Sequence, residues 1–301
     1  MTVVVLAGGT GGAKLARGMA DVAGDELVVV ANTGDDVEIH GVLVSPDPDL
    51  VTFWLADRVD ARGWGLAADS FTVMDELRRL GDDVWFALGD RDLALGLRRA
   101  RRLAEGATPT EVCAETCAAY GVRAQVLPMA DTPVRTRVRA GGRWWPFQEF
   151  MIRHGAQGPV EDLALDGVRD ARPPAAALEA IAAARAIVVG PSNPLVSIGP
   201  ILAVPGLRDA LREAHAPIVA VSPIVGGAVL KGPTAAFLTW AGHDVTAAGV
   251  AASYAGLLDG MVCDEEVLGL PVLRMDTRMD GATARRRVAE ETLRFAAGLG
   301  A

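Results

Sequence analysis

Apolar and polar positions follow two different periods in the first 31 residues of the chain. Val3–Ala7 is a continuous apolar run, the pattern of a strand that is buried on both faces. A glycine-rich turn follows, Ala13–Val22 has the spacing of an amphipathic helix, and Glu26–Ala31 is a second apolar run. The pattern therefore predicts a β-α-β unit whose first turn is rich in glycine.

The same kind of pattern predicts most of the remaining chain. Gly34–Pro48 has the composition of a loop with at most a short strand, and Leu50–Leu55 is expected to be helical. Further helices are predicted at Phe71–Leu80, Leu93–Glu105, Thr110–Tyr120 (capped by Thr108 or Thr110) and Thr283–Gly298, and further strands at Val84–Leu88, Ala186–Val189, Pro217–Val221, Gly260–Cys263 and Val272–Met275.

One stretch departs from this pattern. Val134–Ala140 alternates arginine with valine and threonine, Gly141 and Gly142 turn the chain, and Arg143–Phe150 is rich in aromatic residues, which is typical of a β-hairpin. We therefore predict an α/β fold, a Rossmann-like, doubly wound, mostly parallel sheet with an inserted α+β subdomain. Residues 1–106 and 176–301 are assigned to the core, and residues 107–175 to the insertion.

Composition narrows the classes of partner. The net charge of −9 and the pI near 5.0 argue against a protein that binds nucleic acid, which needs a basic face. The three cysteines have no metal-ligand spacing and suit a reducing compartment. We see no signal peptide and no apolar run approaching the roughly 20 residues that span a bilayer. A cytoplasmic protein without membrane contacts is expected.

The glycine-rich turn comprises Gly8, Gly9, Thr10, Gly11 and Gly12. Glycines at a strand end let backbone N–H groups approach an anion, and the positive N-terminus of the next helix adds to the attraction. The turn matches neither GxxxxGK[ST], because Ala13 precedes Lys14, nor GxGxxG, because Lys14 takes the third glycine position. It is either a tight turn that needs small residues or a phosphate-binding loop of another kind.

Three other predicted strands end in small and polar residues. Asn32 begins the segment NTGDD, and Ser222 begins the segment SPIVGG. The third loop consists of Gly190, Pro191, Ser192, Asn193 and Pro194. Ligands of open parallel sheets bind beyond the carboxyl ends of the strands. The four loops together predict a cleft large enough for a nucleotide.

Acidic residues are concentrated in one loop. Asp35, Asp36, Asp47 and Asp49 lie within fifteen residues. Each of them alone has the role of a turn residue as its simplest explanation. As a group they predict a Mg²⁺ site, because the ion would relieve their mutual repulsion and bridge them to phosphate oxygens.

Two further side chains are candidates for contacts with a ligand. Arg91, between Asp90 and Asp92, is either an ion-pair partner of these acids or a phosphate clamp, and Asp90 is expected to cap the following helix. Trp64, between two glycines, either fills the core or offers a stacking surface for a planar ligand. The four histidines complete no HExxH motif, and GxSxG is absent, so a hydrolase triad is disfavoured.

The loops occur in a recognisable order: LAGGTGGAKLARGM, VANTGDDVEIHG, VSPDPDL, GWGLAADSF, LGDRDLA, GPSNPLVSIGPIL and VSPIVGGAVLKGP. In this respect the chain resembles the 2-phospho-L-lactate transferases of deazaflavin biosynthesis, whose bacterial members are phosphoenolpyruvate transferases. The resemblance implies transfer of a phosphoenolpyruvyl or 2-phospho-L-lactyl group from a guanosine-diphosphate-linked donor to the ribityl hydroxyl of the deazaflavin Fo. It also implies release of GMP, a requirement for Mg²⁺, and formation of a precursor of coenzyme F-420 by a homodimer.

The resemblance also implies roles for individual residues. Asp49 and Arg91 match positions of the deazaflavin site, with Asp49 as the hypothetical general base. Asp35, Asp36 and Asp47 match the acidic loop, which suits metal binding or activation of the hydroxyl. The loops at residues 8–12 and 190–194 match those that hold the guanosine nucleotide, and Trp64 would face the deazaflavin ring.

The chain departs from the family pattern at two places, SPDPDL for SPDLDT and LGDRDLAL for a motif that continues with Thr-His. These departures concern the acceptor contacts. The first alternative is a nucleotide-sugar-binding regulator of the same fold, which shares the GGTG turn but carries a different run in place of NTGDDVEIHG. The second is a nicotinamide-dependent oxidoreductase, which needs an acid where Asn32 stands. Whether the donor carries enolpyruvate, lactate or glycerate stays open.

Overall fold

The computed structural model describes residues 2–300, and within them a parallel sheet of seven strands forms the centre of the molecule. The strands are β1 (Thr2–Ala7), β2 (Leu27–Ala31), β3 (Val37–Ile39), β4 (Val42–Val44), β5 (Gln125–Pro128), β6 (Arg135–Ala140), β7 (Arg143–Pro146), β8 (Asp162–Asp166), β9 (Ala184–Val189), β10 (Ile218–Val221), β11 (Ile224–Val225), β12 (Ala228–Val229), β13 (Gly260–Cys263) and β14 (Val272–Arg274). The helices are α1 (Gly9–Ala23), α2 (Pro46–Leu55), α3 (Thr72–Leu80), α4 (Asp90–Ala104), α5 (Pro109–Ala119), α6 (Phe147–Ile152), α7 (Ala175–Ala182), α8 (Gly199–Ala203), α9 (Leu207–Glu213), α10 (Thr234–Trp240), α11 (Ala247–Ser253) and α12 (Ala282–Leu299).

The order of the central strands, β14-β13-β10-β9-β1-β2-β5, reverses direction at β1. From β1 the chain proceeds through β2 to β5 at one edge, and it then returns through β9 to build the other edge. The crevice between the carboxyl ends of β1 and β9 is therefore the topological switch point, where a doubly wound sheet binds its ligands. The predicted fold class is confirmed.

Both faces of the sheet are covered by helices, which explains the continuous apolar runs of its strands. Val3 and Val5 of β1 pack with Leu15 of α1 and Val288 of α12 in one core cluster. Val4 and Leu6 point to the opposite face, where they pack in a second cluster with Ile181 of α7, Leu207 of α9 and Val250 of α11. The alternation of side chains along β1 thus supplies both cores.

The inserted region forms a smaller antiparallel sheet in the order β7-β6-β8, with Phe147 and Phe150 of α6 in its own apolar cluster. The hairpin prediction is correct in position. The predicted start of the insertion at residue 107 is wrong in one respect, because β5 pairs with β2 as the edge strand of the central sheet and Cys117 of α5 lies in the core cluster of α1. The alternation of β6 is obvious in the sequence, whereas β5 is a short apolar segment that ends in proline.

The structure corrects two other local predictions. Val84–Leu88 is not a strand but an irregular segment, and Leu88 packs in a small satellite cluster with Met74 of α3. The loop at Gly34–Pro48 contains a short hairpin of two strands, β3 and β4, rather than at most one. Both segments are apolar in short stretches, and such stretches cannot be assigned by periodicity alone.

No single helix among residues 2–300 has both the length and the apolar character needed to cross a membrane. A bent pair of helical segments, Pro194–Ala203 and Leu207–Glu213, meets the criterion only by length and composition, and the two segments diverge by 85°.

Candidate active site

Two loops meet closely at the switch point, and this contact explains two of the four glycines of the turn. The Cβ of a residue other than glycine would lie 2.0 Å from the carbonyl oxygen of Pro191 at position 11, and 2.8 Å from Ser192 Oγ at position 12. The N–H of Gly8 also donates to Ser192 Oγ (3.3 Å). The turn is therefore glycine-rich partly because the loop after β9 packs against it, which is the structural alternative that the sequence left open.

The amide of Asn32 organises two carboxylates beside the turn. Asn32 is fully buried, and its Nδ2 donates to Asp35 Oδ1 (3.0 Å) and to Asp47 Oδ2 (2.9 Å). Its Oδ1 accepts from the N–H of Gly34 (2.8 Å), which fixes the orientation of the amide. Asp47 Oδ1 accepts from the N–H of Gly9 (2.6 Å) at the start of α1, where Gly8 has no side chain to cap the helix.

Burial raises the pKa of both carboxyl groups. The pKa of Asp35 lies well above its ordinary value because of burial first and repulsion from Asp47 second, and the hydrogen bond from Asn32 opposes this. Burial raises the pKa of Asp47 to about 6, against the hydrogen bonds from Asn32 and Gly9. The two acids share a neutral amide and repel each other, so a cation beside them would stabilise their charged forms.

Asp36 and Asp49 point away from this pair, into a separate cluster. Asp36 Oδ1 accepts from Ser45 Oγ (2.7 Å), and Asp49 forms an ion pair with Arg99, which also donates to the carbonyl oxygen of Leu43 (3.0 Å). Burial raises the pKa of Asp49, and Arg99 opposes that shift. Burial likewise raises the pKa of Asp36 to about 7.

The three acids predicted as metal ligands, Asp35, Asp36 and Asp47, are thus not brought together as one set. No group of three or more acidic, cysteine or histidine side chains in the described part of the chain has the arrangement of a metal site. Arg99 was not a candidate in the sequence analysis, because an arginine inside an arginine-rich helix has no distinguishing local pattern. It is only 5% exposed.

An acid of the LGDRD segment caps α3, and an acid of the segment before α3 caps α4. Asp90 accepts from the N–H groups of Thr72 (3.1 Å) and Val73 (3.0 Å), so it caps α3 rather than its own helix as predicted. Asp69 in turn accepts from the N–H groups of Arg91 (2.9 Å) and Asp92 (3.3 Å) at the start of α4. The cap that Asp90 provides belongs to α3, and the prediction is wrong because the partner lies 18 residues away in the sequence.

Arg91 and Trp64 both lie at the surface. Arg91 is exposed, and its guanidinium donates to the carbonyl oxygen of Ala67 (3.4 Å). Trp64 is 47% exposed, and the guanidinium of Arg62 lies 4.4 Å from its ring centroid. Trp64 is therefore not a core residue, and its ring is available at the surface for stacking, with an arginine already on it.

A cleft of about 330 Å³ opens between the loops after β1, β9, β10 and β14. Its lining includes Gly8, Gly9, Thr10, Gly11, Asp35, Pro191, Ser192 and Asn193 of the predicted site residues. Gly12, Asn32, Asp36, Asp47, Asp49, Trp64, Arg91 and Gly190 do not line it. Asp47 and Asn32 lie directly behind the lining through their hydrogen bonds to Gly9 and Asp35.

Two buried polar atoms of the cleft have no partner among residues 2–300. Asn193 Nδ2 and Thr277 Oγ1 belong to side chains that are 9% and 4% exposed, and both residues line the cleft. An unpaired buried donor costs about 1–3 kcal/mol, so these atoms are suited to a polar ligand. Thr277 was missed by the sequence analysis, because the segment after β14 carries no recognisable motif.

A second cavity of about 480 Å³ adjoins the first. The two cavities share the residues Thr10, Lys14, Lys231, Met279 and Asp280. The second is also lined by Arg62, Gly63 and Arg285, which places it beside the exposed ring of Trp64. The two adjoining cavities, with Thr10 among the residues on their shared boundary, are called the trough below.

Comparison with known proteins gives matches along nearly the whole chain. Residues 3–290 match the model of a family described as 2-phospho-L-lactate transferase CofD. A phosphoenolpyruvate transferase from Streptomyces griseus is 39% identical and aligns over 97% of this chain and 99% of its own length. A 2-phospho-L-lactate transferase from Methanosarcina mazei is 35% identical, over 96% and 98%. A solved UPF0052-family protein from Bacillus halodurans has the same fold, with a TM-score of 0.65 and 17% identity over 97% of this chain and 98% of that one.

Proposed function

The chain belongs to the CofD 2-phospho-L-lactate transferase family, and on that premise we propose that it transfers a phosphoenolpyruvyl or 2-phospho-L-lactyl group to the ribityl hydroxyl of the deazaflavin Fo. The donor is the corresponding ester of guanosine diphosphate, and GMP is the leaving group. The hydroxyl oxygen forms a bond to the phosphorus that bears the ester. The bond from this phosphorus to the bridging oxygen breaks, and GMP takes the electron pair.

The observation that carries the proposal is the two-cavity trough at the switch point. A group transfer needs two ligands whose reacting atoms meet, and holding them in place supplies a large part of the catalysis. We assign the donor to the cleft beside Gly8–Gly11 and Pro191–Asn193, where Asn193 Nδ2 and Thr277 Oγ1 await polar partners. We assign the acceptor to the adjoining cavity, next to Trp64 and Arg62.

Asp35 and Asp47 fit a magnesium ion, because they are hard oxygen donors, buried together and mutually repulsive without a cation. Such an ion would neutralise negative charge on the phosphate oxygens during transfer. Asp36 does not fit the same site, since its carboxylate accepts from Ser45 instead.

Asp35 is better placed than Asp49 to accept the proton of the hydroxyl. Asp35 lines the cleft, and its second carboxylate oxygen accepts no hydrogen bond from residues 2–300. Asp49 lies outside both cavity linings and is neutralised by Arg99. We therefore propose Asp35 as the acceptor of the proton and Asp49 as a structural ion-pair partner. Arg91 remains a predicted contact of the deazaflavin, the acceptor substrate.

Incubation with Fo, Mg²⁺ and each candidate donor, followed by mass measurement of the product, tests the proposal. We expect one donor, with an enolpyruvyl, lactyl or glyceryl ester, to give the deazaflavin phosphodiester together with GMP. Tight binding of a UDP-sugar with no response to Fo would instead favour the regulator of the same fold.

A cytoplasmic location and a homodimer, without nucleic-acid or membrane contacts, stay predictions.

A further inference from the structure

The chain contains only two lysines, and both line the trough. Of its 29 lysine and arginine residues, 27 are arginine, and the two lysines are Lys14 and Lys231. Both lysines line the cleft and the adjoining cavity as well. All the remaining Lys or Arg positions of the chain are arginine. Lysine at these two positions, both shared by the two cavities, therefore indicates a requirement for the ammonium group.

Lys14 lies on α1, just beyond the glycine turn, and has only weak partners. Its Nζ is 3.9 Å from Asp280 Oδ1, and the Asp280 side chain is 84% exposed. Its Nζ also lies 5.9 Å from the ring centroid of Trp54, which lines the second cavity. An ion pair with so exposed a carboxylate is worth little, so the ammonium is free to bind another anion.

Lys231 reaches the trough from a separate element. It follows the small hairpin of β11 and β12, whose turn residues Gly226 and Gly227 both have positive φ (60° and 72°). The hairpin is tied to the body by a hydrogen bond from the N–H of Gly226 to Asp264 Oδ2 (2.6 Å). Lys231 is exposed and makes no ion pair with a carboxylate of the described chain.

The trough needs cations if a diphosphate is to enter it. Asp35 and Asp280 line the cleft, and Asp47 lies behind it, so its acidic residues alone would repel a polyanion. A lysine ammonium is compact, with three donors that rotate freely, whereas the arginine guanidinium is a broad planar fork. Two phosphates in a narrow cleft can therefore be contacted by two lysines from opposite sides.

We propose that Lys14 and Lys231 bind the diphosphate of the donor from opposite sides, Lys14 from α1 and Lys231 from the β11–β12 hairpin. The inference rests on the proposed function in that it takes the donor to be a nucleoside diphosphate ester. It adds the two residues that recognise the charge of that donor, and it makes the hairpin part of the donor site.

Modification of lysine amines measures the contacts directly, without any turnover. The protein is treated with a limiting amine acylating reagent and Mg²⁺, alone, with saturating GDP or with guanosine, and the modified lysine peptides are quantified by mass spectrometry. We expect GDP to slow modification of both lysines by about tenfold and guanosine to leave both rates unchanged, because the phosphates supply the contact. An unchanged rate at either lysine under saturating GDP overturns the proposal.

Substitutions give an independent measure. Lys14→Gln and Lys231→Gln are each expected to raise the dissociation constant for GDP by about tenfold, and that for guanosine by less than about twofold. Arg294→Gln is the matched control, since it removes the same charge from an exposed ion pair with Glu291 on α12 and should leave GDP binding unchanged. Equal GDP affinity in either lysine variant and in the control overturns the proposal.

The outcomes also separate this inference from the proposed function. Transfer to Fo by a protein whose lysines are not protected would retain the function and remove the lysines from the donor site. Loss of GDP affinity in both lysine variants, without any transfer to Fo in the wild-type protein, would support the lysine contacts and contradict the acceptor.

Discussion

Two pairs of aspartates, close neighbours in the sequence, have opposite environments in the fold. Asp35 and Asp47 meet on the neutral amide of Asn32 beside the cleft, with no cation at hydrogen-bond distance among residues 2–300. Asp36 and Asp49 face the other way, where Ser45 and the buried Arg99 bind them. One step along the chain, or two, decides to which pair an acid belongs.

The difference separates a ligand site from a structural one. Burial raises the pKa of all four acids, but a fixed cation beside a carboxylate opposes that effect, whereas a carboxylate without one is suited to bind a mobile cation. Asp49 has its fixed cation in Arg99, which also binds the carbonyl oxygen of Leu43 and so joins α4 to β4 and α2. Asp35 and Asp47 have none, and we infer that theirs comes with the substrate.

The largest expected effect tests the structural pair. Arg99→Ala leaves Asp49 buried without its cation, which we expect to lower the free energy of unfolding by about 3–5 kcal/mol. Urea denaturation followed by circular dichroism measures it. Arg101→Ala, in the same helix, removes an exposed partner of Glu105 and should cost no more than about 0.5 kcal/mol.

Addition of Asp49→Asn to the Arg99→Ala variant should recover part of the loss, because the unpaired charge is then gone. If Arg99→Ala is no more destabilising than Arg101→Ala, the Asp49–Arg99 pair does not support the fold and the contrast between the two pairs of acids is lost.

The next effect tests the cleft pair. Asp35→Asn keeps an oxygen for the hydrogen bond from Asn32 and removes the charge. We expect kcat/KM for transfer to fall by about 100-fold, because the carboxylate proposed to bind the cation and to accept the proton is lost. Asp36→Asn is the matched control at the adjacent position and should stay within about threefold of the wild-type protein, since Asp36 accepts a hydrogen bond from Ser45 and does not line the cleft.

Steady-state assays at saturating Mg²⁺ compare the two variants, and thermal denaturation confirms that both fold. Equal losses of activity at positions 35 and 36 would mean that the two acids act together, as the sequence analysis first assumed.

The smallest expected effect is on the pH dependence of stability, and it concerns Asp92, which is repelled by Asp49 of the structural pair. Burial first, then repulsion from Asp49 and Asp69, raises its pKa from 3.8 to about 7. The folded protein therefore holds this proton where the unfolded chain has lost it, so the contribution of this group to stability is present below pH 3.8 and falls as the pH rises to about 7. Asp92→Asn should reduce the loss of stability over that range, as measured by urea denaturation at several pH values. An unchanged slope would show that Asp92 is solvated.

Much of the central sheet could be predicted from the sequence. Val3–Ala7, Ala186–Val189 and Gly260–Cys263 are apolar on both faces because helices cover both sides of the sheet, and this pattern needs no knowledge of the neighbours. The sequence also predicts that the loops after Val3–Ala7 and Ala186–Val189 meet, since the carboxyl ends of parallel strands share one edge. Gly8–Gly11 and Pro191–Asn193 do so.

Predictions failed where a residue's role depends on a distant partner. Asp90 caps α3 rather than α4, and Val84–Leu88 is apolar because it covers a satellite cluster rather than because it is a strand. Lys14 lies in the motif LAGGTGGAKLARGM, but only the structure shows that it lines the same cleft as Lys231.

By itself the sequence determined the α/β class, the strands around the switch point, the loops of the cleft and the family, because these depend on local periodicity and on the order of motifs. Only the tertiary structure decided which aspartates share Asn32, which one Arg99 neutralises, and that both lysines border one trough. Charge and hydrogen bonding act through space over a few ångströms. Residues adjacent in the chain can therefore have different roles, and residues far apart can share one.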